Sequence, residues 1–449
     1  MATEQQELNR LVRAVFGAWQ RAGVQFLVLR NYEGLPHFSA NDLDVLVEAA
    51  QLGAAEAALL AAARGAGFRL HNRSEFAATL ALYISGLQSN AQAHFDLYTG
   101  FRWRGLDFLD CRALFDRKVN RGLFAIPHPA HEAAASLLEN LVYHGKIKEQ
   151  YRSSIAAGLR AEPAEALELL GRTWGAAQAA FLVAMGAVEQ WIRIEARSGA
   201  LRRALILRQA ARRPCRTAAS LLAEAARFAR RAARPPGLTV VLCGADGSGK
   251  STAARAIVEG LRPTFSPQRG REFHWKPPLF SARRRAERGL ITDPHAKPPR
   301  NRLVSLLFFG FHWLEFFLGW PWCVRPAAFR GGLVLIDRFY YDFFVDQRRY
   351  RLQVPRWLVG LGYRLLAKPD LVLLLDAPVE VLQSRKQEVP PAETQRQRMA
   401  YLELVRGLAC GRIIDAAQPP EKVAAQIERV ILDFLARRMS RRADVRDRA

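Results

Sequence analysis

The nine residues GADGSGKST, Gly244 to Thr252, constrain this chain more than any other stretch. They follow a short apolar run, Leu238 to Leu242, and precede Ala253 to Leu261, whose composition favours helix. Strand, Gly-rich turn and helix start therefore come in the order that a phosphate site requires. Gly244, Gly247 and Gly249 let the backbone close round an anion with its N–H groups pointing inward, where a bulkier residue would block the approach. Ala245, Asp246 and Ser248 complete the loop, and Thr252 ends it. Lys250 would reach the β- and γ-phosphates and the Ser251 hydroxyl would ligate Mg²⁺, so ATP and Mg²⁺ are the expected cofactors. A chance Gly-rich turn is the plain alternative, and the flanking strand and helix argue against it.

A chain of 449 residues is long for one core, so two or three domains are expected. The 66 Lys and Arg outnumber the 42 Asp and Glu, and the resulting +24 points to anionic partners unless it reflects an Arg-rich proteome. No aromatic-basic recognition motif accompanies the charge, so nucleic acid is not the expected partner. Five cysteines, Cys111, Cys215, Cys243, Cys323 and Cys410, lie far apart with no paired spacing, which argues against a disulfide or zinc framework. The charged N-terminus lacks the apolar core of a signal peptide, so the expected location is cytoplasmic, with peripheral contact at the inner membrane face as the variant of it.

Residues 1–128 alternate helix and strand signals. Leu8, Leu11, Val12, Val15, Phe16 and Trp19 recur at helical spacing, and Gln25 to Leu29 and Leu43 to Val47 read as short strands. Asp42 and Asp44, two apart in a strand, project to one face, and Asp96 could join them from a later strand. Three such carboxylates call for a divalent metal, two holding Mg²⁺ on a nucleotide and the third activating a hydroxyl. The layout resembles the minimal nucleotidyltransferase family, with its Asp-x-Asp pair and later single Asp. Leu29, Arg30 and Asn31 stand where that family has a Gly-Ser turn. Exposed acidic turn residues, or a domain that binds without catalysing, are the alternatives.

Residues 129–235 read as nearly all helix, a helical subdomain running into an arginine-dense connector. The Pro235, Pro236, Gly237 triplet then marks a boundary. Within 236–437, Pro263 to Arg302 suits a partly mobile loop over an anionic site. Leu303 to Val324 is long enough for a membrane span, but Ser305, His312 and Glu315 give it a polar side and a span would divide one site, so a buried helix of the core is expected, with shallow membrane contact as the alternative. Gly332 to Ile336 reads as a buried strand ending in Asp337 and Arg338. Leu371 to Leu375 ends in Asp376, and Arg412 to Ile414 in Asp415. Successive buried strands joined by helices describe an α/β fold with a doubly wound parallel sheet and its site at the carboxyl ends. Asp337 falls where Mg²⁺ would be, and Arg338 suits a second phosphate. Residues 438–449 are expected to form a disordered basic tail.

From about Leu238 to Ala436 the chain resembles the thymidylate kinase family. The stretches that carry the resemblance are GADGSGKST, LIDRFYYD, PDLVLLLDAPVEVLQSR, RKQEVPPAETQRQRMAYLEL and RIIDAAQPPEKVAAQI. It implies a phosphotransferase in which Asp246 meets a sugar hydroxyl and Arg338 the acceptor phosphate. Gly247 stands where some members place an arginine, so transition-state charge falls to Arg385, Arg396 or Arg398 of the lid, unless these are simply solvated helix arginines. The run FYYDFFVDQRRYR departs from the segment that shapes the family's thymine pocket, which leaves the acceptor open between a nucleoside monophosphate and a phosphosugar. Arg348, Arg349 and Arg351 suggest that it is anionic, with a surface basic patch as the alternative. Chains resembling the whole protein accompany polysaccharide-building genes, hence the expectation of a sugar or nucleotide precursor. A nucleotidyltransferase whose phosphate-loop domain is a regulator is the competing reading.

Overall fold

The computed structural model describes residues 2–446 apart from 38–41, 77, 278, 280–297 and 388. The chain packs as two compact units, Met1–Arg230 and Arg231–Ala449.

In the first unit a five-stranded sheet has the order β1-β2-β5-β4-β3, with β1 Phe26–Val28, β2 Asp42–Val47, β3 Phe68–Phe76, β4 Thr79–Gly86 and β5 Gln92–Tyr98. Only β2 and β5 run parallel; the other pairs of this sheet are antiparallel. Two short antiparallel pairs follow, β6 Phe101–Trp103 with β7 Leu106–Leu109 and β8 Lys118–Asn120 with β9 Ala125–Pro127. Strand residues alternate between two cores, because successive side chains leave a strand on opposite faces. Val28, Val45 and Val47 pack with the helices Ala2–Arg21 and Leu52–Gly65. Leu27, Leu29 and Leu46 pack with the helices between Pro129 and Leu205. Those helices therefore cover the second face of the sheet, where the sequence suggested a separate helical subdomain.

The second unit holds an all-parallel sheet, order β11-β12-β10-β13-β14, built from β10 Leu238–Cys243, β11 Arg271–His274, β12 Leu333–Asp337, β13 Leu371–Asp376 and β14 Gly411–Asp415. Both faces are buried, Val240 and Leu242 in one core and Val241 and Cys243 in the other, which explains why its central strands read as continuous apolar runs. The strand order reverses around β10, so the crevice at its carboxyl end falls after Cys243, where the Gly-rich loop begins.

Three expectations change here. Part of the stretch read as a mobile loop is β11, too short and polar an edge strand to show in the pattern; residues 278 and 280–297 of that loop lie outside the described residues. The basic tail is helical as far as Arg446, the helix starting at Pro420, and 447–449 lie outside the described residues. The apolar helix Arg302–Gly319 turns its polar residues inward: Ser305 and Glu315 are fully buried beside the core residues Phe309 and Phe316, while Leu303, Leu307 and Phe317 are exposed. Burial of that polar side follows from Lys276, whose ammonium is buried against the Glu315 carboxylate and lies 2.8 Å from His312 Nδ1.

Candidate active site

The loop Gly244–Gly249 joins β10 to the helix Lys250–Gly260. A Cβ on Gly244 would come within 2.7 Å of the Leu375 carbonyl, and one on Gly247 within 2.4 Å of the Leu382 carbonyl, so only glycine lets the loop lie against the ends of β13 and the helix Val379–Arg385. Gly247 and Gly249, with φ of 84° and 85°, supply the left-handed turns that bring the backbone into the helix. Lys250 is buried, its ammonium donating to the Gly244 and Ala245 carbonyls at 2.9 and 3.0 Å and approaching Ser248 Oγ at 3.4 Å. Burial, reinforced by the Arg338 charge, lowers its pKa against the opposing pull of Asp337 and Asp246. Ser251, next along the helix, is exposed, as is Thr252.

Asp337 ends β12 directly beside Leu242 of β10. One carboxylate oxygen lies 2.9 Å from His274 Nδ1 at the end of β11; the other, Oδ1, is buried with no hydrogen-bond partner among the described residues. Burial alone would raise the Asp337 pKa, but the His274 hydrogen bond and the charges of Lys250 and Arg338 hold it below the ordinary carboxylate value. An ionised carboxylate with a lone, unfilled oxygen beside the phosphate loop fits a divalent cation or its bound water.

Arg338 and Phe339 both have positive φ, 75° and 57°, a costly pair of conformations for side-chain-bearing residues, and Arg338 N–H donates to the Leu242 carbonyl at 2.8 Å. The turn delivers the Arg338 guanidinium to the loop carboxylate Asp246. Arg349 reaches the same carboxylate from the segment after the helix Asp342–Val345. Behind them Asp342, fully buried, accepts from Tyr401 at 2.6 Å and Tyr350 at 2.7 Å and lies 3.6 Å from Arg338. Tyr350 in turn stacks on Trp275 with ring centroids 4.2 Å apart.

The lid arginines are placed differently from one another. Arg398 makes two hydrogen bonds, 2.7 and 2.9 Å, to Asp376 at the end of β13. Arg385 donates to the Ala416 carbonyl. Arg396, on the helix Pro391–Arg406, is held by Glu393 and the Val345 carbonyl. The same helix reaches the site through Gln397, which donates to Asp346, the residue that also receives the Arg349 backbone N–H. Sequence reasoning did not select His274, Asp342 or Gln397. Arg349 carried a signal, as one of three arginines after the Asp-Arg motif, but only folding separates it from Arg348 and Arg351.

In the first unit, parallel pairing sets Asp44 opposite Asp96 and Asp42 opposite His94. Two members of the expected metal trio are paired: Arg30 binds the buried Asp44 carboxylate and extends to both oxygens of Glu139 at 3.1 Å, and His94 lies 3.0 Å from Asp96. Among the described residues no group of three His, Cys, Asp or Glu side chains could hold a metal ion. Arg30 belongs to the Leu29, Arg30, Asn31 run ahead of the acidic pair, so that run supplies a positive charge beside Asp44. Burial pushes the Asp44 pKa up to about 6, with Asp96 and Asp42 adding to it, despite the Arg30 charge.

No family model matches the chain. It is 30% identical over 219 residues to the thymidylate kinase of Chromohalobacter salexigens, covering 45% of this chain and 98% of that one. It is 30% identical over 214 residues to that of Ruegeria pomeroyi, with 45% and 97% covered. The crystal structure of thymidylate kinase from Ehrlichia chaffeensis covers 44% of this chain and all of its own at 16% identity and a TM-score of 0.33. Over about 45% of its length the chain thus belongs to the thymidylate kinase family, and it is a P-loop kinase.

Proposed function

We propose that the protein transfers the γ-phosphoryl group of Mg·ATP to the phosphate of a small anionic acceptor, a nucleoside monophosphate in the first instance. One observation carries the reading: two guanidinium groups, Arg338 and Arg349, converge on Asp246 inside the phosphate loop. A carboxylate so held exchanges readily for a phosphate, which offers the same bidentate geometry with more charge. Lys250 neutralises the transferring group, and the loop amides orient the phosphates. Ser251 and Asp337 would hold Mg²⁺, which would supply positive charge against the charge that develops on the transferring phosphoryl group. Arg385, Arg396 and Arg398 are the lid groups assigned to the developing charge; Arg396 and Arg398 are paired with Glu393 and Asp376 respectively.

A phosphosugar serving polysaccharide synthesis is the second acceptor considered. A panel of nucleoside monophosphates and sugar phosphates with ADP detection tests this, and Lys250→Met should abolish turnover. Absence of ADP release with every acceptor would defeat the proposal. The side-by-side placement of Asp44 and Asp96 supports a nucleotidyltransferase-like origin for the first unit. Pyrophosphate release, unaffected by Lys250→Met, would make that unit the enzyme and the kinase half its regulator.

A further inference from the structure

Between Leu303 and Val324 the only charged residue is Glu315, and it is turned into the fold. The outer side of the helix Arg302–Gly319 and the turn after it is left apolar: Leu303, Leu307, Leu314, Phe317 and Trp322 are 70%, 66%, 40%, 45% and 72% exposed. At 1.5 Å rise per residue, such a stripe runs for roughly 30 Å. Its mean hydropathy of 1.5 would suit a membrane span, but Ser305 and Glu315, buried against the rest of the unit, tie the helix to the protein. A second helix, Arg356–Leu365, is joined to it by the Trp313 indole N–H donating to the Gly362 carbonyl at 3.0 Å. That helix too exposes an apolar stripe: Trp357, Leu361 and Leu365.

We infer that these two helices form a docking face for an anionic lipid surface. The charge around the apolar stripes selects this occupant. Arg302, Arg325, Arg356, Arg364 and Lys368 are exposed at their ends and edges, and no acidic residue occurs from 353 to 369. A second copy of the chain would bring like charges together across the contact, whereas acidic headgroups neutralise them while the leucines and tryptophans enter the acyl boundary. The tryptophans at positions 322 and 357 suit the depth at which the indole body is apolar and its N–H wet.

The test is flotation of the full chain with phosphatidylcholine vesicles, with and without about one third phosphatidylglycerol. The natural protein should float with the anionic vesicles. Leu303→Glu with Leu307→Glu should require on the order of tenfold more lipid or more for half-binding. Arg356→Glu with Arg364→Glu should lose the preference for phosphatidylglycerol. Heat of Mg·ATP binding, unchanged in both variants, shows that they are folded. Failure of the natural protein to float, or equal flotation of the leucine variant, overturns the inference. So does a dimer, seen by light scattering, that the leucine variant dissolves while neither protein binds lipid.

Discussion

Replacing Glu315 by leucine tests the inward-facing polar side of the helix Arg302–Gly319 directly. If the helix met the core by its apolar side, Glu315 would face water and the change would cost under about 0.5 kcal/mol. In the structure the Glu315 carboxylate is fully buried against the Lys276 ammonium, itself 5% exposed. Removing Glu315 takes a carboxylate away from a buried cation, and breaking a buried ion pair costs about 3–5 kcal/mol. The Trp275 and Phe311 rings, 4.9 and 5.3 Å from the ammonium, and the neutral His312, whose pKa burial lowers to about 4, offset part of that. The lower end, about 3 kcal/mol, is therefore expected. Glu315→Leu combined with Lys276→Met should return to within about 1 kcal/mol of the natural protein, because no charge is then left unpaired. Urea unfolding of the full chain measures both, and the transition of the second unit is the one that Mg·ATP shifts. A single variant within about 1 kcal/mol of the natural protein, or a double variant that loses the sum of both singles, would refute the buried pair.

Gly247→Ala places a methyl group against the Leu382 carbonyl at a φ of 84°, so the loop must shift. Mg·ATP affinity by calorimetry should fall at least about tenfold, the equivalent of one left-handed residue's strain. Arg349→Met removes one of the two guanidiniums on Asp246; the acceptor KM should rise on the order of tenfold or more while ATP affinity holds, and steady-state kinetics would show it. Asp44, its pKa raised from 3.8 to about 6 chiefly by burial, favours the fold when protonated. Its contribution is full below about pH 4 and is lost as pH rises through about 6, at most about 3 kcal/mol in the first unit. Urea melts of Asp44→Asn between these pH values should lack that slope.

Much of the second unit was legible because its physics is local or periodic. The loop glycines, the lysine and the flanking strand form one continuous stretch, and strands buried on both faces write themselves as apolar runs ending at Asp337 and Asp376. The edge strand β11 was missed because it is four residues long and mostly exposed, so neither length nor hydrophobicity marks it. In the first unit the sequence placed Asp42, Asp44 and Asp96, and parallel pairing of β2 with β5 set them side by side. What neutralises Asp44 depended on Arg30 reaching it from before the strand.

By itself the sequence determined a phosphate loop, a parallel sheet and a kinase ancestry, since these rest on backbone freedom and on neighbours close along the chain. Tertiary structure alone decided which arginines meet at Asp246, and which side of the helix Arg302–Gly319 faces inward. A helical pattern specifies two faces without saying which one finds a partner. Lys276, 39 residues from Glu315, made the polar face the buried one.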